Sequence, residues 1–141
     1  MSAGETFFDT NVLLYLLSGD HEKADRAEAL LAQRGTVSVQ VLNEFAAVAS
    51  RKLGLTYPEI REVLEPIRAV CAVEPVTLET HDLGVGIAER YGFSIYDALI
   101  VAAALLADCE TLYSEDLQDG QRIDGPLVIR NPFAKPEAPK G

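Results

Sequence analysis

Ten consecutive residues, Ala98 to Ala107, are apolar. A helix through them presents no polar face, and such a helix is stable only where neighbours cover it all round. Ten residues fall well short of the ~20 that cross a bilayer, so the chain must enclose this segment itself. Its 141 residues are enough for one domain. With 48% hydrophobic and 24% charged residues, most of the chain can bury enough apolar surface to offset its conformational entropy, which excludes general disorder. The N-terminus lacks a basic stretch followed by an apolar one, so no secretory signal and a cytoplasmic location are expected.

Around the apolar segment, short β-like runs alternate with longer helical ones. Strands are expected at Thr6–Phe8, Thr36–Val39, Val73–Val76 and Thr111–Tyr113, with a fifth at Leu127–Ile129. Val12 to Leu17 reads as the start of a buried helix. Ala24, Ala27, Leu30 and Leu31 recur at helical spacing within His21–Gln33, as do Val41, Leu42, Phe45, Val48 and Ala49 within Gln40–Leu53, closed by Gly54. Thr56-Tyr57-Pro58-Glu59 has the form of a capping box opening a helix to Val70. Further helices are expected over Leu78–Tyr91, ended by Gly92, and Ile95–Asp108, capped by Ser94. The alternation predicts an α/β layered domain with a mostly parallel sheet. Asn131 to Gly141 has three prolines and few residues able to pack. The domain is accordingly expected over residues 1–133, with a flexible tail at 134–141.

The net charge is −10, from 22 acidic and 12 basic residues. A broad basic surface for a polyanion is therefore excluded. A pocket of carboxylates that holds divalent cations can still attract phosphate. Cys71 and Cys109 belong to no CxxC pair, and His21 and His81 lie far from both. They read as small core residues, not as a zinc site.

Four acids stand where a carboxylate is costly or oriented. Asp9 interrupts an apolar stretch from Phe7 to Leu17; it is either a buried group that needs a cation or proton, or a cap on the following helix. Glu44 borders an apolar helical stripe with no Lys or Arg at i±3 or i±4; a solvated position is the plain alternative. Asp97 sits in the first turn of the apolar helix, where the backbone favours its ionised form, as it would for any helix-start acid. Asp116 follows the Thr111–Tyr113 strand in a turn where Asp and Gly are expected anyway, and Asp119 belongs to the same turn. In open parallel sheets ligands bind beyond the carboxyl ends of the strands, where Asp9 and Asp116 fall. Gathered there, four carboxylates repel unless neutralised, and Mg²⁺ or Mn²⁺ does so with oxygen ligands.

The segments Phe8-Asp9-Thr10-Asn11-Val12-Leu13, Asn43-Glu44-Phe45, Tyr96-Asp97-Ala98-Leu99-Ile100-Val101-Ala102-Ala103-Ala104 and Leu112-Tyr113-Ser114-Glu115-Asp116-Leu117-Gln118-Asp119-Gly120, in this order, resemble the PIN-domain nucleases, most closely the VapC-like toxins of bacterial toxin–antitoxin pairs. The resemblance runs from Thr6 to about Phe133. It implies a three-layer α/β/α fold and a Mg²⁺- or Mn²⁺-dependent endoribonuclease that hydrolyses RNA phosphodiesters. Carried over by position, Asp9, Glu44, Asp97 and Asp116 are the catalytic and metal-binding set. Asn11 and Ser114 orient carboxylates or contact water, and Asp119 is an accessory. The resemblance further implies a water activated by one metal, or by two roughly 3.5–4 Å apart, with Asp97 or Asp116 accepting its proton. It also implies a homodimer and a cognate VapB-like antitoxin that puts a basic residue into the acidic pocket.

Two other readings compete. A noncatalytic PIN-like binding domain would keep the fold without turnover. An aspartate-nucleophile phosphatase would use Asp9, but such enzymes want a second Asp two residues on, where this chain has Asn11. Gly84-Val85-Gly86 lacks the third glycine of a dinucleotide loop, and Ser94 and Ser114 lack a His partner for a triad. Arg51-Lys52 is either a contact for a phosphate backbone or a solvated helix end.

Overall fold

The computed structural model describes residues 5–133, so the tail expected at 134–141 lies outside the described residues. In chain order β1 (Thr6–Phe8) leads to α1 (Thr10–Leu14), a 3₁₀ turn (Tyr15–Leu17) and α2 (His21–Ala32). Then come β2 (Gly35–Ser38), α3 (Val39–Lys52), α4 (Tyr57–Val70), β3 (Cys71–Glu74), α5 (Leu78–Tyr91) and α6 (Ile95–Leu106). The chain ends through β4 (Thr111–Tyr113), β5 (Arg122–Ile123) and β6 (Leu127–Arg130). The strands form one sheet in the order β3-β2-β1-β4-β6-β5, parallel except for β5 against β6. With helices on both faces, the domain is the expected three-layer α/β/α sandwich.

The apolar pattern accounts for the layers. Phe7, Val37, Leu112 and Ile129, one from each central strand, are fully buried, as parallel strands covered on both faces require. In α6, Ala98 and Ile100–Ala104 are buried, so the middle of the apolar segment is covered, while Leu99, Leu105 and Leu106 are partly buried at its edges. Local signals set the boundaries: the capping box of Thr56 and Glu59 opens α4, and Gly92, at φ 74°, ends α5 in the left-handed conformation. Among the described residues no helix is long and apolar enough to cross a membrane.

Three expectations need correction. The third strand lies at Cys71–Glu74, two residues earlier than expected. It is an edge strand with Ala72 and Val73 exposed, so it carries no alternating burial to fix its register. The two-residue β5 was not foreseen, because a strand so short has no period. The helix expected from Val12 to Leu17 is instead α1, Thr10–Leu14, followed by the 3₁₀ turn Tyr15–Leu17. At the other end of the domain the chain packs as far as Phe133. Pro132 is buried, its carbonyl accepts from Arg26 Nε at 3.2 Å, and the Phe133 ring tilts against Tyr15 with centroids 4.4 Å apart.

The Phe133 contact belongs to a larger tie. Lys23 Nζ lies 4.5 Å from the Tyr15 ring centroid, donates to Tyr15 Oη at 3.0 Å and pairs with Glu115 at 3.6 Å, while Tyr15 Oη donates to Glu115 at 2.5 Å. One aromatic hydroxyl thus joins the 3₁₀ turn, α2 and the loop after β4. Tyr15→Phe is expected to cost about 1 kcal/mol, the worth of a partly exposed hydrogen bond to a charged group. An unchanged urea midpoint would show that the tie adds no stability.

Candidate active site

Strand pairing builds the site. Phe8 of β1 lies opposite Tyr113 of β4, and the next residue on each strand continues the contact. The Asp9 N–H donates to the Tyr113 carbonyl at 3.0 Å, and Ser114 Oγ donates to Asp9 Oδ2 at 2.7 Å. Asp9 Oδ1 accepts the Thr10 N–H at 2.6 Å, so Asp9 is also the cap of α1. Both sequence readings of Asp9 hold together: it caps a helix, and it is only 3% exposed.

Burial is the main force on this carboxyl. It pushes the Asp9 pKa up to about 6, with the charges of Asp116 and Asp97 acting in the same direction, against the lowering by Ser114 and the Thr10 N–H. The Asp116 pKa is raised too, first by desolvation and then by Asp97, against a lowering by Asn11. Asp9, Asp97 and Asp116, far apart in sequence, therefore act on one another as charges at the carboxyl edge of the sheet. Asp97 reaches that edge from the first turn of α6, where its N–H is held by the Ser94 cap at 3.2 Å.

Glu44 joins from the second turn of α3. It accepts from Thr10 Oγ1 at 2.7 Å and from Gln40 Nε2 at 3.3 Å. Thr10 thus bridges Asp9 and Glu44, a role that sequence reasoning missed. The signal was available, since a hydroxyl next to an acid in an otherwise apolar stretch needs a partner of its own. Asp119 is held elsewhere, its carboxylate accepting the Asn131 N–H at 2.9 Å, and neither it nor Glu44 is among the charges acting on Asp9 or Asp116. Ser114 holds more than Asp9, because its Oγ also accepts the Asp116 N–H at 3.2 Å.

The arrangement is a group of acids drawn to one edge, short of a closed cage. Among the described residues no three Asp, Glu, His or Cys side chains lie close enough to enclose a metal ion. Hydrogen bonds hold two of the carboxylates in place, Asp9 on Ser114 and Glu44 on Thr10. The donor set nevertheless fits a hard divalent cation. Every candidate ligand is a carboxylate oxygen, and the ion pairs among the described residues, Lys23–Glu115 and Arg90–Asp124, involve none of Asp9, Glu44, Asp97 or Asp116. Both amide atoms of Asn11 are buried without a hydrogen-bond partner, although the amide is close enough to Asp116 to favour its ionised form. An orphaned amide beside unpaired acids leaves oxygen and nitrogen free for a hydrated ion. The cysteines take no part: both are buried and free, and burial pushes the Cys109 thiol up to about 12.

A pH dependence follows. The folded Asp9 pKa of about 6 stands above its ordinary 3.8, so between these values the folded state binds more protons than the unfolded one. The metal-free fold is expected to gain up to about 3 kcal/mol as pH falls from 7 towards 4 through this group. Chemical denaturation at pH 7 and pH 5 without metal checks the sign; a fold weaker at pH 5 would overturn it.

The PIN domain profile matches residues 6–124. No curated protein is significantly similar to the chain. Solved structures share the fold. A toxin–antitoxin complex from Klebsiella pneumoniae superposes with a TM-score of 0.67 at 20% identity, covering 91% of this chain and 98% of that one. VapC20 from Mycobacterium tuberculosis, described as a sarcin–ricin loop cleaving toxin, gives 0.64 at 20% identity over 77% and 88%. VapBC2 from Rickettsia felis, bound to a DNA fragment from its promoter, gives 0.63 at 18% identity over 89% and 97%.

Proposed function

Because the chain belongs to the PIN domain family, we propose that it is a Mg²⁺- or Mn²⁺-dependent endoribonuclease and the toxin of a toxin–antitoxin pair. Asp9, Glu44, Asp97 and Asp116 are its catalytic, metal-holding residues. The observation that carries this reading is the Asp9 carboxyl: buried, without a basic partner, and flanked by the charges of Asp97 and Asp116. A buried acid with acidic neighbours is costly for a protein that does not use it. The solved toxin–antitoxin structures of the same fold support the toxin assignment.

Mg²⁺ or Mn²⁺ bound by the four carboxylates would lower the pKa of a coordinated water and offset charge on the phosphoryl oxygens. The chain's own residues do the rest. The Thr10 N–H and the Ser114 hydroxyl fix the two Asp9 oxygens, while Thr10 Oγ1 and Gln40 aim Glu44. The Asn11 amide supports the ionised form of Asp116. The protein would act in the cytoplasm as a homodimer with a VapB-like antitoxin, whose basic residue would offset the same charge that the metal offsets.

The test is incubation of the purified protein with RNA and Mg²⁺, with and without EDTA, followed by sequencing of the new RNA ends. Discrete metal-dependent cuts support the proposal. Intact RNA with the fold retained would point to a binding domain, and phosphate released from a small phosphomonoester to a phosphatase. Metal and antitoxin are expected to compete, so equal Mg²⁺ affinity by calorimetry in free protein and complex would contradict that part.

A further inference from the structure

We infer that the face of α3 running from Glu44 to Arg51, with Tyr57 at the start of α4, is a track for single-stranded RNA leading away from the acidic edge. The inference rests on the ribonuclease reading and adds the path and contacts of its substrate. Glu44, Ala47 and Arg51 follow at i, i+3 and i+7, which puts them on one side of the helix. Arg51 stands ~10.5 Å beyond Glu44 along the axis, at 1.5 Å per residue. At the Arg51 end the surface is a shallow groove of about 230 Å³ lined by Ala46, Ala47, Ser50, Arg51 and Tyr57, one turn beyond Glu44 on α3.

Residues in and beside the groove suit the parts of a nucleotide. Arg51 and Lys52 are exposed and make no ion pair among the described residues, so their charge is available to a phosphate. Tyr57 is 67% exposed and offers a ring on which a base can stack. The small Ala46 and Ala47 let a base approach the helix. In a chain of net charge −10, a substrate strand needs local cations to enter an acidic site. Arg51 and Lys52 supply them on the same helix that carries Glu44.

The experiment uses a fluorescein-labelled single-stranded RNA of twelve nucleotides and the full-length chain. In metal-free buffer, anisotropy is expected to show roughly tenfold weaker binding for Arg51→Gln and for Tyr57→Ala. The slope of log K against log salt should fall by about 0.7 for Arg51→Gln, the share of one single-strand phosphate, and stay unchanged for Tyr57→Ala. In Mg²⁺, both variants should raise KM for the twelve-nucleotide RNA at constant kcat and leave cleavage of a trinucleotide as in the wild type. Wild-type affinity and KM in both variants, with circular dichroism confirming the fold, would overturn the track while leaving the nuclease intact. Weakened binding by the variants of a protein that cuts no RNA would uphold the track and sink the nuclease.

Discussion

Asp9→Asn is expected to abolish metal-dependent RNA cleavage, by roughly 10³-fold or more given what one preorganised electrostatic group is worth, and to make the metal-free protein more stable at pH 7. The two effects have one cause. The Asp9 carboxyl is buried and held near Asp116 and Asp97, and its pKa is pushed up to about 6. At neutral pH it is charged at a cost to the fold. An amide keeps the shape and can still accept from the Thr10 N–H. It carries no charge, so most of the up to about 3 kcal/mol spent on ionising Asp9 is regained. The gain should shrink as pH falls to 5, where the wild-type carboxyl is itself protonated. Thermal melts at both pH values alongside an RNA cleavage assay check this, and a variant that is inactive but less stable would refute the electrostatic account. Activity and stability would then trade against each other at a single atom pair.

Gly35→Ala is expected to be the most damaging single methyl in the sheet. A Cβ on Gly35 would stand 2.6 Å from Cε2 of Phe8 and 2.7 Å from the backbone oxygen of Thr6. The ring can tilt, but the carbonyl belongs to β1, which pairs with β2 on one side and β4 on the other. Relief requires the central strand to move. The cost is put at about 3 kcal/mol, the upper part of the overpacking range, and roughly 10 °C in melting temperature. Asp9 directly follows β1, so cleavage should fall as well, through the displaced carboxylate. A soluble Gly35→Ala variant with a wild-type melting temperature would show that β1 and β2 are not packed at this closeness.

From α2 to α6 the sequence made the helices legible to within a residue or two because their signals are local: a Thr56–Glu59 box, Ser94 before an apolar run, Gly92 after Tyr91. Strands were harder. Central β1 and β4 announce themselves as short runs of Thr followed by two large apolar or aromatic residues, each preceded by a Glu, whereas edge strand β3 exposes Ala72 and Val73, and nothing in its composition marks where pairing begins. Similar reasons divide the acids. Asp9 is conspicuous because its neighbours are apolar, and Asp97 because a cap and an apolar helix frame it. Asp119 shares the turn of Asp116 and reads only as an accessory. Only the fold reveals that the Asn131 N–H occupies it. For Thr10 the local pattern marks a hydroxyl in need of a partner but cannot name it, because Glu44 is 34 residues away.

The Ser114–Asp9 contact joins positions 105 residues apart, and this separation governs when the acidic edge comes into being. A polypeptide emerging during synthesis presents Asp9 and Glu44 long before, and Asp97 shortly before, Tyr113 and Ser114 exist to dock beside β1. Until that last parallel pairing closes, Asp9 lacks one of its two clamps and Asp116 is not yet made. The acids already made therefore wait on the β1–β4 pairing, and the acidic edge is assembled only after residue 116 has been added.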